Sequence, residues 1–423
     1  MYHSHLIQPD AQSSLATWLD YLLAGHPTEI DMGLNRITDV AQRMDLLTSS
    51  SKVITVAGTN GKGTTCAYLE RILRQAGYSV GVYSSPHIIN YNERVRIDGI
   101  DASDAEFISA FLAIEAARID ISLTFFECAT LAALYIFKQR QPDYILLEVG
   151  LGGRLDATNI IDADVSVLTA VDIDHTNFLG NTRDSVGREK AGIFRSNRPA
   201  VIGEPDLPAS VTEVVQYLDA MPYCVGQQFS YQQQDDSWSY QGAVVRIENM
   251  PLPSLPLPNA ATAIAVIEQI LPELSPELIA NALASATLAG RLELVQQQPK
   301  VLVDVAHNPH AAAYLVKKLR QMQYRKLVAL CGMLSDKDIH GVLQLMTPIV
   351  DSWHFVTLDN ERGATAAELS KQLPDSVTAC EYHNVDDAWQ AIAPSLADDD
   401  LLIVFGSFYT VAGFKMLLQT NEK

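Results

Sequence analysis

Apolar residues recur along this chain in two distinct rhythms. Leu15, Trp18, Leu19, Leu22 and Leu23 fall at helical spacing, as do Ile37, Val40, Ala41 and Met44, so two amphipathic helices are expected with a loop, 25–33, between them. From Lys52 the rhythm shortens. Compact β-branched runs at Val53 to Ala57, Ser79 to Tyr83, Tyr144 to Val149 and Val165 to Ala170 alternate with longer amphipathic stretches, which predicts a parallel sheet with helical crossovers. Short alternating segments between 221 and 248, turning near Asp235-Asp236 and Gln241-Gly242, predict antiparallel hairpins at the edge of this first domain. A helical pair follows from Asn259 to about Leu283. Strand-like runs return at Val301 to Val305, Leu327 to Cys331, Trp353 to Thr357 and Leu401 to Phe405, the pattern of a second, smaller α/β unit.

A chain of 423 residues exceeds one ordinary core, so two domains are expected. The boundaries read as 1–290 for the first domain, 299–423 for the second and 291–298 for a link, marked by Leu288-Ala-Gly-Arg291 and the polar Gln296-Gln-Gln-Pro299.

Composition removes several function classes. Fifty acidic residues against thirty basic ones give a formal net charge of −20, which argues against a nucleic-acid binder, and any anionic ligand must meet local positive groups. Five cysteines without a CxxC spacing fit a reducing compartment and no structural zinc. No basic segment followed by an apolar run opens the chain, and the longest apolar stretch, Leu123 to Phe137, carries Glu127 and falls short of the roughly 20 residues that span a bilayer. A cytoplasmic protein without membrane partners is expected.

The sharpest motif is Val53-Ile-Thr-Val-Ala-Gly58-Thr-Asn-Gly61-Lys62-Gly63-Thr64-Thr65, an apolar strand running into a glycine-rich loop and then a helix. Glycines let backbone N–H groups approach phosphate oxygens, a helix beginning near Thr64 aims its positive end at them, and Lys62 adds a cation. Thr59, Asn60, Gly61, Lys62, Gly63 and Thr64 are therefore the candidate ATP-binding residues, with the Thr64 or Thr65 hydroxyl offered to Mg2+. The usual Walker expression fails, because its first glycine is Val56 here and Gly63 intervenes before Thr64.

That departure resembles the variant loop of the Mur ligase superfamily, and specifically its folylpolyglutamate synthase branch. Ser84-Ser85-Pro86-His87, Asn92-Glu93-Arg94, Glu148-Val-Gly-Leu-Gly-Gly-Arg154-Leu-Asp156-Ala-Thr-Asn159, Asp174-His175-Thr176, Gly187-Arg-Glu-Lys190-Ala-Gly-Ile-Phe-Arg195, Asp304-Val-Ala-His307-Asn-Pro309 and Gly406-Ser-Phe-Tyr-Thr410 are similar to the same branch, in order along nearly the whole chain. The bacterial bifunctional form is the nearest to these motifs. The resemblance implies a P-loop-containing Mur-ligase-like central domain with a smaller Rossmann-like α/β C-terminal domain on the amino-acid side. It implies an ATP- and Mg-dependent ligase that activates a carboxylate as an acyl phosphate and joins it to L-glutamate. The substrates would be dihydropteroate, for the first glutamate, and reduced folates, for further ones, handled by a monomer.

The resemblance also implies residue roles. Ser85 and Glu148 would hold one Mg2+ and His175 a second, Lys190 would be carbamylated near the second metal, and Lys62, His175 and Lys190 would serve catalysis. Glu29, Ile30, Asp31 and Met32, with Thr124, Phe125, Phe126 and Glu127 and with Arg154, Leu155 and Asp156, would bind the pterin. Asn259, Arg291 and Asp304 would contact ATP. Apart from the family, Glu148 stands out, because an acid directly after Tyr144-Ile-Leu-Leu147 at a sheet end is costly to bury without a cation. Ser85 reads equally as a turn cap, His175 as a satisfied surface group, Lys190 as a solvated helix lysine, and Arg154-Asp156 as a pair that fixes a loop. Two other readings stand at this point: a peptidoglycan Mur ligase with the same acyl-phosphate chemistry, and a non-catalytic nucleotide-binding module.

Overall fold

The computed structural model describes residues 7–28 and 30–421, which fall into two compact units, one comprising 1–87 with 91–286 and the other 88–90 with 287–423. In the first unit eight strands make one sheet: β1 (Lys52–Ala57), β2 (Val80–Tyr83), β3 (Val95–Ile97), β4 (Ile100–Asp101), β5 (Tyr144–Glu148), β6 (Val165–Leu168), β7 (Pro199–Ile202) and β8 (Met221–Cys224). Their order is β4-β3-β2-β5-β1-β6-β7-β8, antiparallel only at β3 and β4. The central strands are buried on both faces, so they read as continuous apolar runs rather than alternations.

Helices α1 (Leu15–Leu23), α2 (Asn35–Arg43), α3 (Lys62–Gln75), α4 (Asp104–Arg118), α5 (Phe125–Arg140), α6 (Thr176–Leu179), α7 (Arg183–Ala191), α8 (Ala209–Leu218), α9 (Leu257–Ile270) and α10 (Pro276–Ala284) surround this sheet. α1, α2, α4 and α5 share a core with Val53, Tyr83, Ile145 and Leu147, centred on buried Trp18, Phe107, Phe111 and Phe137. α7 and α8 cover Ala57, Leu168, Ala200 and Ile202, while α3 packs against α9 and α10. Among the described residues no helix is long and apolar enough to cross a membrane.

The block expected as hairpins from 221 divides in two. β8 pairs in parallel with β7 and extends the large sheet. Only β9 (Ser230–Gln233), β10 (Ser237–Gln241) and β11 (Arg246–Pro251) form the antiparallel sheet, turning at Asp235-Asp236 and after Gln241. The alternation near 221 does not reveal that β7 offers a free edge. Glu268 of α9 fastens this region: its carboxylate accepts from Tyr223 Oη (2.7 Å) on β8, Tyr240 Oη (2.9 Å) on β10, and the backbone N–H groups of Val244 and Val245.

The second unit is a six-stranded sheet of β12 (Glu293–Gln297), β13 (Lys300–Asp304), β14 (Leu327–Cys331), β15 (Ser352–Val356), β16 (Ala379–Tyr382) and β17 (Leu401–Phe405), ordered β12-β13-β17-β14-β15-β16 and parallel except at β12. Helices α11 (Pro309–Leu319), α12 (Ile339–Met346), α13 (Ala366–Ser370), α14 (Val385–Ile392) and α15 (Phe408–Asn421) flank it. The segment read as a link, 291–298, is mostly the edge strand β12, hairpinned to β13 through Gln298-Pro299. Glutamines suit an edge strand, whose backbone bonds to its single neighbour while its side chains stay wet. Ile88 also packs into this unit, beside Val305, Val411 and the α-carbon of Gly290.

Glu268→Ala strips four donors of their acceptor at once and should destabilise the protein by about 3 kcal/mol or more. Chemical denaturation with intrinsic tryptophan fluorescence checks this, since Trp238 lies on β10; an unchanged midpoint is the contrary result.

Candidate active site

Parallel register puts Val56 opposite Glu148 and Ala57 opposite Leu168, so the loops leaving β5, β1 and β6 emerge side by side at one sheet edge. Ligands of α/β sheets gather at such carboxyl ends. The loop after β1 turns at Gly61 (φ 88°), and α3 begins at Lys62, two residues before the expected start. A Cβ on Gly61 would lie 2.6 Å from Asn259 Oδ1, and one on Gly58 (φ 156°) would lie 1.9 Å from Thr169 Oγ1. Both positions require glycine for close approach. Lys62 curls back, its Nζ donating to Gly58 O (2.9 Å). Asn259 Nδ2 donates to Thr64 Oγ1 (2.5 Å), which donates to Gly61 O (2.9 Å), so Asn259 of α9 braces the first turn of α3.

Thr59 is used differently from the expectation of a direct nucleotide contact. Its N–H donates to Ala170 O (2.8 Å) and its hydroxyl donates to Asp172 O (2.9 Å) while accepting from Asp172 N (3.0 Å). Both polar groups serve the segment after β6.

Glu148 ends β5 buried, and Ser85 N lies 3.4 Å from its Oε2. Burial, and then the Glu148 charge, push the Cys66 thiol on α3 well up. His175 adopts a left-handed conformation (φ 51°) as N-cap of α6, half-buried, with Nε2 at 3.8 Å from Asp174 Oδ2. Among the described residues no three acidic, histidine or cysteine side chains converge as a closed cage. The donors present, a serine hydroxyl, a buried carboxylate and one imidazole, fit a hard cation that completes its shell with phosphate and water oxygens.

Lys190, in the last turn of α7, is 4% exposed, and its amine makes no hydrogen bond or ion pair with any described residue. Burial foremost, then the charge of Lys62, lower its pKa to about 7, against the opposing pull of Asp174 and Asp156. α7 packs against α6, the helix that His175 caps.

The loop after Glu148 does not form the Arg154–Asp156 pair that the sequence allowed. Asp156 is buried, and its carboxylate accepts from Leu151 N (2.9 Å), Thr158 N (3.0 Å) and Thr158 Oγ1 (2.7 Å); burial raises its pKa. Arg154 is exposed and pairs with Glu189 (2.9 Å), while Leu155 is half-buried. An acid facing inward caps the following turn, and the arginine on the outer side finds the helix that passes it.

At the start of α5, Thr124 and Glu127 form a capping box: Thr124 N donates to Glu127 Oε2 (2.7 Å) and Glu127 N to Thr124 Oγ1 (3.1 Å). Phe126 lies against Tyr83 and over Gly150, where a Cβ would meet its ring at 2.5 Å; Phe125 faces Tyr91 and the Arg94 guanidinium. Sequence reasoning missed Arg36, which bonds Asp31 through both its side chain (2.8 Å) and its carbonyl (2.7 Å) and lies 3.2 Å from Glu127 Oε1. Its only sequence signal was a cation just inside a helix beside an acidic loop. Ile30 and Met32 are half-buried, and Met32 approaches Gly152. Glu29 lies outside the described residues.

In the second unit Asp304 is buried at the end of β13 and accepts from Leu292 N (2.9 Å) and Ala306 N (2.8 Å). Burial raises its carboxyl pKa and the Arg291 charge opposes that. The helix cap is Asn308, which accepts from Ala311 N, so Asp304 is not spent on capping. Arg291 stacks 5.3 Å from the Phe408 ring.

Two family models match the chain: the Mur ligase middle domain over residues 56–206 and the Mur ligase glutamate ligase domain over residues 290–408. The dihydrofolate synthase/folylpolyglutamate synthase of Escherichia coli K12 is 48% identical, covering 96% of this chain and 95% of that protein. The structure of E. coli FolC in complex with DHPP and ADP superposes with a TM-score of 0.95 at 46% identity, covering 98% of this chain and all of that one. A bifunctional folylpolyglutamate synthase/dihydrofolate synthase with Mn, AMPPNP and L-glutamate bound gives 0.91 at 48% identity, covering 97% and 99%.

Gly58→Ala drives a methyl group into Thr169 Oγ1 and must distort the phosphate loop. Titration with a fluorescent ATP analogue should show at least about tenfold weaker binding, roughly 1.4 kcal/mol. Wild-type affinity would contradict the close approach.

Proposed function

The chain belongs to the Mur ligase family, in its dihydrofolate synthase/folylpolyglutamate synthase branch, and on that premise we propose how its residues share the reaction. It is an ATP-dependent ligase that joins L-glutamate to a pterin-linked carboxylate, taking dihydropteroate to dihydrofolate and extending reduced folates. It binds a nucleotide and a divalent metal ion. The observation that carries the residue assignment is convergence at one sheet edge of the phosphate loop after β1, Glu148 ending β5, and the Asp174-His175 segment after β6.

A carboxylate does not acylate an amine at a useful rate. Transfer of the γ-phosphoryl group onto a carboxylate oxygen releases ADP and leaves an acyl phosphate. The glutamate amine then forms the C–N bond, the C–O bond to phosphate breaks, and the ammonium proton is lost to solvent or base. Both steps gather negative charge. The loop N–H groups from Asn60 to Thr64, the N-terminus of α3 and Lys62 oppose it. Lys62 would exchange the neutral Gly58 carbonyl for a phosphate oxygen. Ser85, Glu148 and His175 would hold Mg2+, which offsets the charge on phosphate and carboxylate oxygens when bound. Asn259 would complete the nucleotide contacts of the first unit.

Phe125 and Phe126 would offer aromatic faces to the pterin, and Ile30, Asp31, Met32, Arg154 and Leu155 would contribute further contacts to it. Thr124, Glu127 and Asp156 act through the shape they impose. The folate assignment is favoured over a peptidoglycan ligase by identity along 96% of the chain. Free thiols at all five cysteines, four of them buried, support a reducing cytoplasm. The net charge of −20 supports work as a monomer without nucleic-acid partners.

Lys190 would carry a carbamate. A buried amine with a pKa near 7 keeps a large unprotonated fraction at neutral pH, and only that form attacks carbon dioxide, forming the N–C bond and releasing one proton. The product is an anion, so the Lys62 charge that disfavours the protonated amine would favour it.

Dihydropteroate labelled with 18O in its carboxylate should deliver label to inorganic phosphate; label appearing in AMP would rule out the acyl phosphate. For Lys190, the folded pKa lies below the ordinary lysine value, so the folded protein holds fewer protons than the unfolded chain between about 7 and that value, and stability rises with pH across this window. Carbamate formation follows the same direction. In 13C-bicarbonate the wild type should show a protein-bound carbamate NMR signal that fades as pH falls below about 7 and is missing from Lys190→Ala. A signal that survives the substitution would place the carbamate elsewhere.

A further inference from the structure

β1 and β6 are hydrogen-bonded partners as far as Ala57 and Leu168. Beyond the strands two more backbone bonds join the segments before side chains take over. Thr169 N donates to Ala57 O (2.9 Å) and Thr59 N to Ala170 O (2.8 Å), then the Thr59 hydroxyl both donates to and accepts from the Asp172 backbone. From the other side Thr169 Oγ1 donates to Asn60 O (2.6 Å) inside the phosphate loop. Each threonine thus reaches across into the other's loop. Thr59 stands next to the residues that would meet phosphate, and Asp172 stands three residues before His175.

The far flank of the segment is fixed independently. Val171 N donates to Glu204 Oε2 (2.8 Å) and Arg183 Nε to Val171 O (3.0 Å). Between that anchor and His175 the Thr59 hydroxyl links the segment to the phosphate loop through both backbone groups of Asp172. A phosphate drawn into the loop fixes residues 59–64, and any ordering of Thr59 restricts Asp172 through two hydrogen bonds at once. Valine has the same shape but neither donor nor acceptor, so it would leave Asp172 N–H and C=O to solvent.

We propose that Thr59 is a positioning residue that transmits occupancy of the phosphate loop to the His175 segment, so that nucleotide orders the second metal's ligand before the metal arrives. The inference rests on the nucleotide assignment of the loop made above.

Hydrogen exchange read by mass spectrometry tests it on the full chain, with a non-hydrolysable ATP analogue and EDTA to exclude metal. In the wild type the analogue should slow exchange at least about threefold in peptides covering 58–65 and in those covering 169–179. Thr59→Ser should behave like the wild type. Thr59→Val should keep the slowing at 58–65 and weaken it at 169–179, where the bonds of Ala170 O and Thr169 to the loop remain; Thr59→Ala, which removes the same hydroxyl without adding bulk, replaces it if the valine variant does not fold. Nucleotide protection of 169–179 that is undiminished without the hydroxyl overturns the proposal, as does a wild type whose protection stops at 58–65. No protection at 58–65 in the wild type overturns the nucleotide assignment itself, and the proposal with it.

Discussion

Val56 lies across from Glu148 on one side and Val167 on the other, so β1 is hydrogen-bonded along both edges and cannot shift without breaking two ladders. That register is the constraint on which the site depends. A slip of one residue along either neighbour would turn its side chains to the opposite face and carry Glu148 or the His175 segment away from the phosphate loop. The apolar cores on the two faces of the sheet, one built on Trp18 and Phe111 and the other on Phe194 and Val211, hold the register in place.

The fixed frame is then loaded with charges that water cannot reach. Glu148 and Lys190 are both almost fully buried, and desolvation lowers the lysine pKa to about 7. Such groups are expensive in a core and useful where phosphate, metal and carboxylate are to be brought together, because the same low dielectric that penalises them alone strengthens their interactions with a ligand. Contrast Glu268, equally buried but already bonded to two tyrosines and two backbone amides, and therefore a fastener.

Small residues and hydroxyls do the fitting between frame and charge. Gly58 and Gly61 admit Thr169 and Asn259 to the phosphate loop, and Gly150 admits the Phe126 ring. The hydroxyls of Thr59, Thr64 and Thr169 tie the loop to α3 and to the segment after β6. The acyl-phosphate site of this folate ligase is accordingly held by contacts short enough that one added methyl group is felt.

The sequence by itself determined what depends on neighbours in the chain. Helical spacing from Leu15 to Leu23, the apolar run of β1 and the glycine-rich turn to Lys62 are each contiguous, and so are the motifs that announced the family and the strand-end position of Glu148. The tertiary structure decided which groups meet. Asp156 turned inward to cap its own turn and left Arg154 to Glu189, 35 residues away. β8 joined the large sheet because β7 had a free edge, and β12 proved a strand because β13 supplied its partner. Lys190 was indistinguishable from a solvated helix lysine until α7 packed it out of water. Thr59 looked like one more loop residue, yet its hydroxyl bonds Asp172, 113 residues on. Periodicity and propensity are local and survive in the sequence; the choice of a hydrogen-bond partner or a buried position is made by residues distant along the chain, whose approach only the packed sheet and its helices fix.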